Sequence, residues 1–375
     1  MKKTIMIIAL AAICATADAT VRTVSNNSNS PGQYTDLQVA ATAAAANDTL
    51  YVSGSQTGYG NVTINKPLTI IGAGALPNKD YYYATLIGNM SIAYGALYTT
   101  TGSGSKIIGC DVNTITLEAG DNSTHPGISN VIITRNKINN GVYFNQSGSA
   151  GQSSIAHSGI SIYNNVINVV YGNFIKNSIL RNNIISGISH LGNINAGSMF
   201  VSNNIILSYF SSCSNVTLNN NIFYSTATSS AATSNTFCTS SNNCFYSPTH
   251  TYVLSDIIFS SNTGSNNILN QDPMFVYYDA LTTLPFAYEQ LSPVSGPFAN
   301  FNLSAGSPCH LSGSDGLDMG VYGGLSPFHE GFPVDSRYRY FPMPAIPQMI
   351  NMFITNGAIQ PAGTLNVNFK ARKQD

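Results

Sequence analysis

Between residues 135 and 269 the chain repeats one short phrase: Asn, alone or paired, followed by a brief apolar run. The copies are Arg135-Asn136-Lys137-Ile138, Asn164-Asn165-Val166-Ile167, Asn182-Asn183-Ile184-Ile185 and Asn203-Asn204-Ile205-Ile206. They continue as Asn220-Asn221-Ile222-Phe223, Asn242-Asn243-Cys244-Phe245 and Asn266-Asn267-Ile268-Leu269. The steps from Ile138 to Ile268 are uneven, with a mean of roughly 22 residues, and a period of this size means a solenoid with one coil per repeat. The regular Leu framework of a leucine-rich repeat is missing. Helical repeats need longer periods and good helix formers, whereas this region is rich in Asn, Ser, Gly and β-branched residues. A parallel β-helix fits, with each coil laid about 4.8 Å from the one before. The apolar residue after the Asn is expected to point inward, so Ile205 and Ile222 should share one inward stack. The Asn should stack at a turn, each amide bonding the next, as a structural device.

Composition agrees with an all-β exterior protein. Only 8% of residues are charged and 43% are hydrophobic, against about a quarter charged in an average soluble chain. The formal net charge is −1 and the pI is about 6.6, which argues against nucleic acid as a partner, because neutralising phosphates takes a basic surface.

The first residues read as an export signal. Lys2 and Lys3 precede an apolar stretch from Ile5 to Ala15, too short to span a bilayer. Ala17-Asp18-Ala19 supplies a small-x-small cleavage site, so the mature chain is expected to begin at Thr20. Ile13 stands before Cys14 where a lipidation signal needs a small residue. Losing Lys2, Lys3 and Asp18 leaves 15 − 2 = 13 basic and 16 − 1 = 15 acidic residues, a net charge of −2. No later stretch reads as a transmembrane helix. Five cysteines remain: Cys110, Cys213, Cys238, Cys244 and Cys309. Cys238 and Cys244 are close enough in sequence to pair in an oxidising compartment, and the alternative is that all five are small buried hydrophobes.

Ahead of the repeats, Thr35-Asp36-Leu37-Gln38 has capping-box spacing and opens a helix-forming run, Val39 to Ala46. Leu37, Ala40, Ala41 and Ala44 give it one small apolar face, suited to covering the first coil's open edge. Strands follow at Thr49 to Val52, Asn61 to Ile64 and Pro67 to Gly72. After Gly324, five prolines from Pro327 to Pro347 mark an extended linker. Two alternating segments, Met349 to Ile354 and Thr364 to Ala371, predict a hairpin against the last coil.

Asp48-Thr49-Leu50-Tyr51-Val52 and Ile64-Asn65-Lys66-Pro67-Leu68-Thr69-Ile70-Ile71-Gly72, with the helix before them, resemble the start of secreted β-helix proteins of the pectate-lyase-like superfamily. Asp272-Pro273-Met274-Phe275-Val276, Ser307-Pro308 and Asp315-Gly316-Leu317-Asp318-Met319-Gly320-Val321-Tyr322-Gly323-Gly324 resemble that family's closing coils. The resemblance covers roughly residues 34 to 324. It implies an all-β, right-handed single-stranded parallel β-helix with an N-terminal capping helix, to which the alternating segments after Gly324 add a C-terminal β tail. The expected organisation is a signal peptide over 1–19, a segment with the capping helix over 20–48, the β-helix over 49–325, and a linker and tail over 326–375.

The superfamily includes lyases, hydrolases, esterases and proteins without known activity, so chemistry must be read from residues. The resemblance implies that a lyase would hold Ca²⁺ with Asp or Glu and take a proton with Arg or Lys. From Asn122 to Ser255 there is neither Asp nor Glu. The best remaining catalytic candidates are Asp111, Glu118 and Asp121, with Arg135 brought close by a neighbouring coil; the three carboxylates are also the possible Ca²⁺ ligands. A solvated corner loop is the plainer reading of that cluster. Asp315 and Asp318 read as turn formers, and the six His show no metal spacing, although His157 and His190 could neighbour each other across coils. Tyr81-Tyr82-Tyr83 is the aromatic cluster suited to stacking on a sugar, or to packing an early loop.

The expectation is therefore a monomeric, secreted, periplasmic or surface-exposed scaffold or binding protein, without evident catalytic residues or a required cofactor. Polysaccharides or cell-surface glycans are its expected ligands. The alternative is a divergent polysaccharide lyase or glycoside hydrolase, and a third reading is an adhesin that uses its tail.

Overall fold

The computed structural model describes residues 19–74, 83–95, 99–119, 127–145, 156–173, 175–192, 199–225, 232–233, 235–253, 264–278, 300–328, 348–354 and 367–372. The expected signal peptide and most of the expected linker lie outside them. Among the described residues the chain is nearly all β, with one helix and two long, wholly parallel sheets, one of ten strands and one of eleven. It is a parallel β-helix. From Thr49–Val52 onward the strands of most coils alternate between these two sheets, each pairing with its equivalent one coil away, and His157–Ser158 and Ile175–Lys176 form a short parallel sheet of their own. Among the described residues no helix is long and apolar enough to cross a membrane.

The Asn pairs build the corner between the sheets. The first Asn of each pair takes a left-handed backbone conformation: φ is 57° at Asn164, 50° at Asn182, 55° at Asn203 and 57° at Asn220. Asn tolerates this region better than any other residue with a β-carbon except its close relatives. Arg135 occupies the same position with φ 59°. The second Asn turns its amide inside. Asn136, Asn165, Asn183, Asn204, Asn221 and Asn243 are wholly buried. Each Oδ1 accepts from the backbone N–H of the Asn in the preceding coil, from Asn136 onto Asn165 at 2.9 Å through to Asn243 onto Asn267 at 3.0 Å. The ladder steps are 29, 18, 21, 17, 22 and 24 residues. At its start Cys110 takes the Asn position and donates its N–H to Asn136 Oδ1 at 2.9 Å.

Strand alternation then decides which side chains go inside. With the ladder Asn inside, the residue after it must face out and the next must face in. Ile138, Ile167, Ile185, Ile206, Phe223 and Phe245 accordingly lie in the main core, and the Phe223 and Phe245 rings stack 4.4 Å apart. Ile205 and Ile222 do pair across adjacent coils, but they face outward, which corrects the inward stack expected from sequence. In register, the outer row runs Leu86, Asp111, Lys137, Val166, Ile184, Ile205, Ile222, Cys244, Ile268.

From Val166 onward this outer row is apolar and largely buried, because the chain comes back over it. Residues 307–324, whose Ser307-Pro308 and Asp315–Gly324 were expected in the closing coils, contain no strand, and with 325–328 they return along the corner. Gly320 N donates to Asn220 O at 2.8 Å. Asn182 Nδ2 donates to Val321 O at 3.0 Å and Gly323 O at 2.7 Å, and Asn164 Nδ2 reaches Pro327 O at 3.4 Å. Met319, Val321 and Phe328 thereby form a second apolar cluster with Val166, Ile184, Ile205 and Ile222.

The helix spans Leu37–Ala43 and is capped by Asp36, whose carboxylate accepts from Val39 N–H at 2.8 Å, so the cap falls one residue later than the Thr35 spacing suggests. Leu37, Ala40 and Ala41 are its buried face. Gln38 bonds the edge strand Val62–Ile64, accepting from Thr63 N–H at 2.7 Å. Ahead of the helix, Val21–Val24 pairs in parallel with Thr49–Val52, a strand the sequence did not announce. At the other end, Gln348–Ile354 and Val367–Arg372 form the expected antiparallel hairpin.

Candidate functional site

Asp111 and Glu118, two of the three carboxylates singled out by sequence, do not converge. Asp111 and Glu118 open and close the same strand, Asp111–Glu118, which separates them by about 23 Å at strand rise. Asp111 stands in the outer row beside Lys137, with Nζ to Oδ2 3.3 Å, and accepts from Asn139 Nδ2 at 2.6 Å. Glu118 accepts from Ser91 Oγ at 2.8 Å. Asp121, Tyr81 and Tyr82 lie outside the described residues. Tyr83 is exposed, and its hydroxyl bonds the Gln56 side chain. No three His, Cys, Asp or Glu side chains among the described residues come together as metal ligands.

Arg135 lines a cleft of about 760 Å³ between the corner and the returning segment, with Tyr163, His310, Asp318, Tyr322 and Phe328. His310 Nδ1 lies 2.8 Å from Asp318 Oδ1, which also accepts from Leu311 N–H at 2.9 Å. Asp318 thus orients a histidine as well as a turn, a pairing that the Gly- and Ser-rich stretch between them hid in the sequence. Asp315 does act as a turn former, accepting from Leu317 N–H at 3.1 Å.

A second constellation lies on the outer face of the eleven-stranded sheet. Tyr143 and Tyr171 are in register on adjacent strands, with ring centroids 6.0 Å apart. The Tyr171 ring meets His190 of the next coil at 5.0 Å. Tyr209, one coil further, lies over Gly187, where any β-carbon would collide with its ring. Burial raises the Tyr209 phenol pKa, and the nearby Tyr143 phenol raises it further. Tyr171 and Tyr209 remain 40% and 39% exposed. His190 is held by Ser189, Oγ to Nδ1 2.6 Å. The result is a row of aromatic faces across four coils. His157, by contrast, is wholly buried against Phe144 with its Nδ1 accepting from Ile128 N–H, so it does not join His190.

Such a row offers flat apolar faces rimmed by phenol and imidazole groups that both donate and accept hydrogen bonds. The four strands carrying it contain one charged residue, Lys137, so its ligand need not be ionic. The row is hidden in the sequence because Tyr143, Tyr171 and Tyr209 are unevenly spaced and out of step with the Asn period; the strand register sets Tyr143 level with Tyr171 and places Tyr209 two residues along, against Gly187. No family model matches the chain, and no curated protein matches it.

Proposed function

We propose that this is an exported, glycan-binding β-helix of the pectate-lyase-like kind, which uses the Tyr143, Tyr171, His190 and Tyr209 row as its binding platform. The carrying observation is the half-exposed aromatic row itself. Exposed aromatic side chains in a contiguous patch mark a binding surface, and their faces suit the C–H face of a sugar ring. Coils stacked about 4.8 Å apart place successive rings at a spacing that an extended glycan chain can follow. Export is supported by the signal-like first residues and by the low charge of the chain. The helix at 37–43 serves as the N-terminal cap, with Gln38 bonding the edge strand. A glycan array probed with the mature protein, with and without Ca²⁺, tests the reading. Binding to uncharged oligosaccharides, unchanged by chelation, is the expected result; an array without hits would overturn it.

A second reading, a polysaccharide-cleaving enzyme, is favoured by the cleft where Arg135 and the His310–Asp318 pair meet. Release of reducing or unsaturated ends that disappears in His310→Ala would establish it over a purely binding role.

A further inference from the structure

Cys244 follows ladder residue Asn243 and therefore stands in the outer row, while its sequence neighbour Cys238 lies in the main core, on the other side of the coil wall. The Cys238–Cys244 pairing considered from sequence is thus opposed by strand alternation. The residue that meets Cys244 is Cys309, at the start of the returning segment. Both are wholly buried in the same apolar cluster, Cys309 is near enough to act directly on the Cys244 thiol, and Cys244 Sγ also donates to Gln271 O at 3.6 Å. The backbone holds Cys309 there: its N–H donates to Ser307 Oγ at 3.1 Å, Ser307 Oγ donates to Pro273 O at 2.6 Å, and its carbonyl accepts from Met319 N–H at 3.0 Å. In the structure both are free thiols.

We propose that Cys244 and Cys309 are a disulfide site, at which oxidation fastens the returning segment to the solenoid. The two thiols lose two protons and two electrons and an S–S bond forms. The oxidant is a small-molecule or protein disulfide, which is reduced to two thiols by exchange through a mixed disulfide. Exchange requires a thiolate, and the hydrogen bond with Cys309 and burial together push the Cys244 thiol well above its ordinary value. The bond therefore forms while the segment is still docking, and once formed it is shielded from reductant. The closed loop takes in everything from Cys244 to Cys309, and cross-links over long loops restrict the unfolded chain most. The linkage anchors residues 310–328, whose Met319, Val321 and Phe328 cover Val166, Ile184, Ile205 and Ile222. It depends on the export reading only for a physiological oxidant, since an oxidised thiol buffer tests the chemistry separately.

The test is to refold the mature protein in oxidised and reduced glutathione, block free thiols by alkylation, digest without reduction and map the peptides. A linked peptide containing Cys244 and Cys309 is expected. Recovery of both as alkylated thiols, or of either linked to another cysteine, would overturn the site. In limited proteolysis, the oxidised protein should be cut within 310–328 on the order of tenfold more slowly than Cys244→Ala/Cys309→Ala. Equal rates would show that no fastening occurs.

Discussion

Asn204 Oδ1 accepts two hydrogen bonds from Asn183, one from the backbone N–H at 2.9 Å and one from Nδ2 at 3.0 Å. Its own Nδ2 donates to Leu180 O at 2.8 Å and to Ser202 O at 3.0 Å. One wholly buried side chain thus ties its own coil to the one before it through three hydrogen bonds and braces its own turn with a fourth. Asn204→Ala strands these partners away from water and should cost about 3 kcal/mol or more. Urea denaturation of the protein measures it. A loss below about 0.5 kcal/mol, the range of ordinary surface changes, would show that the ladder is not needed to hold the coils.

The outer row separates two effects that a single apolar pair would otherwise confuse. Ile206 is in the coil interior, so Ile206→Lys buries an unpaired charge and should unfold the middle of the solenoid. Ile205 faces the returning segment, so Ile205→Lys should release that segment and leave the coils intact. Far-UV circular dichroism should stay native in Ile205→Lys while protease sensitivity within 310–328 rises, and the dichroism should collapse in Ile206→Lys. The same outcome for both variants would contradict the assignment of faces.

This parity was only half legible in sequence. The Asn repeat announced the coils, the corner and the ladder, since few architectures use an Asn at such spacing. What it did not announce was the direction of the next two residues, because in most copies both are apolar. The first is apolar for a reason outside the repeat, the segment that returns from residues 307–328. Lys137 held the clue: a charged residue directly after Asn136 must face out, and Ile138 must then face in. The helix cap was off by one residue because Thr35 and Asp36 are both good N-caps. The cleft joins Arg135 to His310 and Asp318 from opposite ends of the solenoid sequence, a separation over which local pattern carries no information.

Asp48 fixes the segment that leads into the first coil. Its buried carboxylate accepts from Thr20 N–H at 2.7 Å, from Arg22 Nε at 2.8 Å and from Ala45 N–H at 2.9 Å. Burial alone would raise its pKa, but the Thr20, Arg22 and Ala45 hydrogen bonds outweigh it and hold the group below the usual carboxylate value. A depressed folded pKa gives stability that is full above the unfolded-state pKa and is lost as pH falls through the folded one. Thermal melts on acid titration should therefore show a decline that Asp48→Asn flattens. If Asp48→Asn melts with the wild-type acid profile, Asp48 does not carry this dependence. Cleavage after Ala19 would make Thr20 N an ammonium, and N-terminal sequencing of exported protein should then begin at Thr20.

The aromatic row is the proposed binding platform, and the most direct measurement is calorimetric titration of a glycan-array hit into wild type, Tyr171→Ala and Tyr83→Ala. Tyr171 sits in the row between Tyr143 and His190, whereas Tyr83 is exposed on the early loop. Tyr171→Ala should weaken affinity about tenfold, the scale of one lost aromatic stacking contact, while its thermal melt stays near wild type and Tyr83→Ala binds normally. Undiminished binding by Tyr171→Ala, or loss confined to Tyr83→Ala, would contradict the platform and return the ligand to the early loop.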